Sequence, residues 1–371
     1  MKKYIICFIC CFCTMVVSLG QSAERFTILY LIPFESTSYT TPYIKECEDM
    51  DKVMSYRLMG FWNGSQMALE EYNAAGVPLN VIVRDVSNSD VKLRRLLEDR
   101  EMMKDVDLII GPFFNKLFVI AAQYAKQYGI PIVNPFTSRQ DVVADNEYVY
   151  KLIPAREARP AMIAFMAQQT NSFPIILYGD STSSDRDMQV FRNYFRDNHV
   201  PYRIFADASS VVSNIKPYKH QFVIAFCDNP AQNLIISRTL LYSEKTENLT
   251  FVVPESWLES KTYDIEYYSK LNLHFFSDYY IDYSGEKVKT FIYDYTQAYG
   301  VPPLLENFAF QGYDITRFFV EFLRNDKDFD RVNIIPTAFP LSFDKSPEGG
   351  YENVNVQFLE VKDNEIVPSF H

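Results

Sequence analysis

The run Phe61-Trp62-Asn63-Gly64-Ser65-Gln66-Met67-Ala68-Leu69-Glu70-Glu71-Tyr72-Asn73, followed by Asn80-Val81-Ile82-Val83-Arg84-Asp85 and by Asp107-Leu108-Ile109-Ile110-Gly111-Pro112, decides the fold. In its first part Phe61, Ser65, Ala68 and Tyr72 fall on one helical face, at spacings of four, three and four, and Gly64 lets a neighbouring element approach closely. The second and third parts are short β-branched runs separated by a charged helical segment. That rhythm is βαβ.

Working outward, residues 1–20 stand apart from the fold. Lys2 and Lys3 precede an apolar run from Tyr4 to Val17, and Ser18 and Gly20 supply small side chains before a cleavage point. This is the pattern of a cleavable secretory signal peptide and is short for a membrane span. The cysteines within it lack the neighbours that lipoprotein processing prefers, so no lipid anchor is expected. The chain has 36 basic residues; without Lys2 and Lys3, 34 of them face 47 acidic residues, a net charge of −13. So acidic a chain repels nucleic acid and anionic membrane surfaces, which excludes both as expected partners. Only Cys47 and Cys227 lie beyond the signal segment, too few for a disulfide framework; one bridge and two free thiols both remain open, with free thiols preferred.

Some 350 residues suit two compact units. Strand-like segments run Phe26–Pro33, Leu79–Asp85, Val106–Gly111, Ile130–Asn134, Tyr148–Ile153, Pro174–Tyr178, Tyr202–Phe205, Gln221–Phe226, Thr250–Val253 and Leu273–Phe276. Helical segments such as Val91–Met103, Leu117–Tyr128, Arg156–Gln169, Asp185–Asn198 and Ala231–Tyr242 alternate with them, which implies parallel sheets covered on both faces. After Asp278 the rhythm changes to two successive helices, Glu286–Tyr299 and Phe308–Leu323, and then to strands at Ala338–Phe343 and Val354–Val361.

This order of segments resembles the type I periplasmic solute-binding proteins, the family of branched-chain amino acid binding proteins and of several receptor ligand domains. The matching residues are Phe61, Gly64, Ala68 to Glu71 and Asn73; Val83-Arg84-Asp85; Asp107 to Pro112; Ile130 to Pro135 with Thr137-Ser138; Gln311-Gly312-Tyr313-Asp314; and Leu341-Ser342-Phe343-Asp344. The resemblance implies two α/β lobes, each a mainly parallel sheet flanked by helices, joined by a hinge of several crossovers and enclosing a ligand. The expected lobes are residues 24–153 plus 279–328 and residues 154–278 plus 329–371.

In open parallel sheets ligands bind beyond the carboxyl ends of the strands. The candidate binding residues are therefore Glu35, Ser36, Phe113, Phe114, Asn115, Phe136, Thr137 and Ser138 from the first lobe. From the second they are Asp180, Ser181, Asp228, Asn229, Glu255 and Trp257. Simpler roles stand beside these. Thr137, Ser138 and Asn115 are residue types that cap helices, Phe113, Phe114 and Phe136 can pack as core, and Glu255 can be a solvated loop acid. The chain departs from the amino acid binders, with Phe113-Phe114 where they carry a Ser after Gly-Pro and a Ser-rich loop from Gly179 to Asp185 where they carry an aromatic residue. Free amino acids fit poorly. An insertion from Glu35 to Ser55 adds a lid or partner surface.

No nucleophile elbow, zinc-protease motif, Walker loop or dinucleotide fingerprint is present, and the four histidines are scattered, so no enzyme activity, metal or cofactor is expected. Two readings remain. One is a periplasmic receptor that captures a small polar or aromatic-containing molecule for a membrane permease or sensor. The other is a ligand-free interaction module regulating another cell-envelope protein.

Overall fold

The computed structural model describes residues 25–35, 54–137, 139–179, 185–227, 229–258, 265–304 and 308–369. The signal segment, Cys47 and nearly all of the 35–55 insertion lie outside the described residues.

Two seven-stranded sheets carry the fold, as the two-lobed α/β reading expects. The first contains β1 (Phe26–Ile32), β2 (Leu79–Asp85), β3 (Leu108–Ile110), β4 (Ile132–Asn134), β5 (Val149–Lys151), β11 (Phe343–Lys345) and β12 (Tyr351–Asn353), in the order β11-β12-β5-β4-β3-β1-β2. Ile28 to Ile32 are all fully buried, because a central parallel strand is covered on both faces. β1 pairs in parallel with β2 (Ile28 opposite Val81) and with β3 (Ile28 opposite Leu108). The second sheet contains β6 (Ile175–Tyr178), β7 (Tyr202–Phe205), β8 (Gln221–Ala225), β9 (Leu249–Val253), β10 (Leu273–Ser277), β13 (Gln357–Lys362) and β14 (Glu365–Pro368), in the order β14-β13-β10-β9-β8-β6-β7. Its β13 and β14 are antiparallel additions to a parallel set.

The helices are α1 (Met54–Ala74), α2 (Asp90–Leu97), α3 (Arg100–Met103), α4 (Asn115–Tyr128), α5 (Ala158–Gln169), α6 (Arg186–Asp197), α7 (Ala208–Asn214), α8 (Pro230–Tyr242), α9 (Ile265–Lys270), α10 (Glu286–Tyr299) and α11 (Ala309–Arg324). None of the described helices is long and apolar enough to cross a membrane. By packing, the chain divides into residues 1–133 with 304–332, and residues 134–303 with 333–371.

In the first unit α1 lies against α11. Phe61, Ser65 and Ala68 are fully buried on the face that the spacing marked, and the Ser65 hydroxyl donates to the Gly312 carbonyl at 3.2 Å. A β-carbon on Gly64 would sit 1.9 Å from the Ala309 carbonyl oxygen, and one on Gly312 would sit 1.9 Å from that of Phe61. The two backbones touch where both helices lack side chains. Buried Tyr30 reaches from β1 to the Thr316 hydroxyl of α11 at 2.9 Å.

The second unit has an apolar layer on each face of its sheet, one built around Phe251, Trp257 and Tyr268 and the other around Phe191, Phe195 and Phe222. Its helices start at polar caps: Asp185 accepts from the Met188 amide, Asp207 from the Ser210 amide, and Asn229 from the Ala231 and Gln232 amides.

Three differences from the sequence reading have local causes. The helix read as Val91–Met103 is two, because Asp99 caps a new start by accepting from the Met102 amide. The strand read as Ala338–Phe343 begins only at Phe343. Residues 329–371, read as one block, divide between the sheets: β11 and β12 join the first, β13 and β14 the second.

The chain thus moves from the first sheet to the second after β5, returns before β11 and leaves again after β12. Asn353, almost fully buried, ties these passages together. Its Nδ2 donates to the carbonyls of Leu152 (3.0 Å) and Pro340 (3.3 Å), while its Oδ1 accepts from the amides of Ser342 (3.0 Å) and Asn355 (3.1 Å). Beside it Lys151, with no exposed side-chain surface, donates to the Ile153 carbonyl at 2.8 Å and pairs with Glu352 at 3.3 Å. Gln140 donates to the other oxygen of Glu352. Burial lowers the Lys151 pKa, opposed by the Glu352 charge.

Candidate functional site

At the carboxyl ends of the first sheet's strands, several candidates serve the fold. Phe113 is buried edge-to-face against Phe61, with ring centroids 4.8 Å apart, and so belongs to the packing beneath α1. Phe114, half-buried, occupies the N-cap position of α4 without a side-chain bond, and Asn115 is the first helical residue rather than the cap. Glu35 holds a left-handed conformation (φ 53°), and its amide donates to Asp85 Oδ1 at 3.2 Å. Buried Asn134, at the end of β4, accepts the amides of Phe136 and Thr137 at 3.0 and 2.9 Å. Thr137, only 2% exposed, accepts the Arg139 amide at 3.1 Å, so its hydroxyl stabilises its own turn.

In the second unit Asn229 is engaged as the α8 cap. Trp257, 2% exposed, donates its indole N–H to the Cys227 carbonyl at 2.9 Å and packs edge-to-face on Phe251. It is a core residue. Cys227 is half-buried, and Cys47 lies outside the described residues. Ser36, Ser138, Asp180, Ser181 and Asp228 lie outside the described residues.

Glu255 and Phe136 do reach open space. A pocket of about 160 Å³ opens at the carboxyl ends of β8, β9 and β10, bounded by Phe226, Glu255, Phe276, Arg159, Asp185 and Asp187. A second, of about 300 Å³, is bounded by Phe136, Ile153, Arg156, Arg159, Asp187 and Asp278. Arg159 and Asp187 line both. The Arg156 guanidinium donates to Asp187 at 2.8 Å, Arg159 lies 3.6 Å from Asp278 and 5.9 Å above the Phe276 ring, and the Ser277 hydroxyl donates to Glu255 at 3.0 Å. The sequence reading passed over Arg156, Arg159, Asp187 and Asp278. A signal existed for the arginines: Arg156 just ahead of α5 and Arg159 in its first turn lie where the positive end of the helix dipole disfavours cations. Among the described residues no group of three or more His, Cys, Asp or Glu side chains could hold a metal ion.

The pocket chemistry, two arginines among carboxylates and phenyl rings, suits a small organic molecule with both polar and apolar parts. Comparison with known proteins adds the lineage. The family model for the periplasmic binding protein matches residues 53–352. No curated protein sequence matches. Among solved structures, a protein described as a branched-chain amino acid ABC transporter from Rhodospirillum rubrum is similar over 93% of this chain and 99% of its own, with 13% identity and a TM-score of 0.61. A substrate-binding protein from Desulfitobacterium hafniense, in complex with Leu, shares 15% identity over 93% of this chain and all of its own, with a TM-score of 0.50. Full-length LpoA from Haemophilus influenzae shares 12% identity over 94% of this chain and 59% of its own, with a TM-score of 0.57. At such identities these likenesses establish the fold.

Proposed function

The chain belongs to the periplasmic binding protein family, and from that premise we propose that it is an exported receptor that captures a small organic molecule for a membrane permease or sensor. One observation supports this above the others: a pocket at the carboxyl ends of β8, β9 and β10 and a second sharing its Arg159 and Asp187, lined between them by Arg156, Arg159, Asp187, Asp278 and Glu255. Apolar walls (Phe191, Ile224, Phe226, Val252, Phe276) with a few charged groups among them are the composition of a small-molecule site. The family assignment also supports export to the periplasm, consistent with the charged and apolar residues 1–20.

A second reading has its own support. Phe113, Thr137, Asn229 and Trp257 are all engaged within the protein, which leaves fewer groups for a ligand than a solute receptor commonly presents. An interaction module that acts on another envelope protein through its surface fits that economy.

Native mass spectrometry of the protein purified from its exported fraction separates the two. The receptor reading expects a retained small-molecule adduct that disappears on denaturation and whose retention falls in Arg159→Gln. A bare mass, with no stabilisation by any compound in a broad solute library, would favour the interaction module.

A further inference from the structure

We propose that the second unit carries a further binding site, apart from the two pockets that Arg159 lines, and that it takes an uncharged, mainly apolar molecule with one hydrogen-bonding group; this stands whether or not the receptor reading does. The site is a cavity of about 530 Å³ between α5 and the strands β13 and β14, sharing only Val356 with the nearer of the other two. One wall is a helical stripe, Met162, Phe165, Met166 and Gln169, whose spacing of i, i+3, i+4 and i+7 puts them on one face of α5. The other wall is Asn355, Gln357 and Phe358 at the start of β13, with Pro368 at the end of β14. The stripe is closed at Met166, which is 5% exposed, and open at Phe165, which is 62% exposed. An apolar helix face is ordinarily covered by its neighbour. Here the face and the strands stand apart by a volume within the range of about 300–1,000 Å³ that small-molecule pockets occupy.

The lining sets the occupant's character. Among the described residues no charged side chain lines this cavity, in contrast to the two that hold Arg159 and Asp187, so an ion entering it would lose hydration without gaining a partner. Two thioethers and two phenyl rings supply soft, adaptable contacts for an apolar body. The polar groups are side-chain amides at the rim. Gln357 Nε2 donates to Asn355 Oδ1, which leaves Asn355 Nδ2 as a donor and Gln357 Oε1 as an acceptor without partners among the described residues, and the Gln169 amide is equally open. A single uncharged N–H, hydroxyl or carbonyl on the ligand matches them.

The probe is N-phenyl-1-naphthylamine, an uncharged aromatic amine with one N–H donor whose fluorescence rises when it leaves water; 8-anilinonaphthalene-1-sulfonate has the same body and a negative charge. Each is titrated into the full chain, into Phe165→Asp and Phe165→Ala, and into Ile235→Asp, whose isoleucine is 56% exposed on α8 and lies outside the cavity. The uncharged probe should saturate at one per chain, and the sulfonate should bind at least about tenfold more weakly. Phe165→Asp should weaken the uncharged probe about ten- to a hundredfold, the range for losing a buried aromatic contact, Phe165→Ala should weaken it less, and Ile235→Asp should leave it unchanged. Phe165 is mostly exposed, so melting temperature and circular dichroism should not change; if Phe165→Asp does melt lower, Phe165→Ala decides. Uptake that does not saturate, equal or tighter binding of the sulfonate, an equal loss in Ile235→Asp, or full affinity in both Phe165 variants would overturn the site. So would pairing of chains in sedimentation that Phe165→Asp abolishes while the probe stays unbound, which would give this face to a second copy.

Discussion

Gly64→Ala should destabilise the first compact unit far more than one methyl group ordinarily does. The new β-carbon would lie 1.9 Å from the Ala309 carbonyl oxygen, 2.9 Å from its carbon and 3.1 Å from the Tyr313 amide nitrogen. Carbon and carbonyl oxygen approach to about 3.3 Å at closest, so α1 and α11 must part by more than an ångström. All three obstructing atoms are backbone, so no side chain can swing aside. Overpacking of this kind costs about 1–3 kcal/mol, and a rigid obstacle puts it at the upper end. Parting the helices also lengthens the Ser65 to Gly312 hydrogen bond, already 3.2 Å, at about 1 kcal/mol. Against this, alanine gains about 1 kcal/mol over glycine in a helix interior. The net expectation is a loss of about 2–4 kcal/mol. Gly312→Ala should cost a similar amount, and the double variant less than the sum, because one separation relieves both clashes. Urea unfolding followed by tryptophan fluorescence suits the test, since Trp62 lies on α1 with its ring 5.4 Å from Tyr30. A neutral or stabilised Gly64→Ala variant would refute the close crossing.

Lys151→Met leaves Glu352 buried without its cation and should cost about 3–5 kcal/mol, with much of that recovered in Lys151→Met/Glu352→Leu; a single-variant loss below about 1 kcal/mol in urea unfolding contradicts this. Thr137→Ala should lower stability by about 1 kcal/mol and leave affinity for any retained solute unchanged, because its hydroxyl holds the Arg139 amide; a selective affinity loss would return it to the binding site. His220 is held by the Ser172 and Thr250 hydroxyls at 2.8 and 2.9 Å, and its pKa is lowered, first by burial and then by His274. A base with a depressed folded pKa contributes stability that is full above its unfolded value of about 6.5 and is lost as pH falls below it. Melting temperature should therefore drop more steeply from pH 7 to 5.5 in the natural protein than in His220→Gln, and parallel slopes would exclude the histidine as a cause.

Periodicity carried most of the architecture because it is a local property. The buried face of Phe61, Ser65 and Ala68 and the role of Gly64 were legible from three spacings, and β2 and α10 match their expected limits. The strands β11 and β12 were not, since three-residue pieces carry no pattern and their partner β5 lies some 200 residues earlier. Site residues fared less well for a related reason. Whether an aromatic residue after a strand turns into the core or toward a ligand depends on distant partners, as Phe113 on Phe61 and Trp257 on Phe251 show. The arginines were overlooked because a charged helix start reads as solvated surface until the helix is placed beside the sheet edge.

The division of residues 343–368 between the two sheets has a consequence for how the chain comes into being. A nascent chain grows from its N-terminus, and domains ordinarily fold as they emerge. Here a chain halted before Phe343 would carry two five-stranded parallel sheets, each with an open flank, β5 on one and β10 on the other. Unpaired edges of apolar strands invite association with other chains. Neither half can finish before residues 343–368 appear, so both sheets stay incomplete until the same stretch of chain is made. The two halves therefore mature together rather than one after the other, and a chain cut ahead of Phe343 would leave both sheets with an open flank.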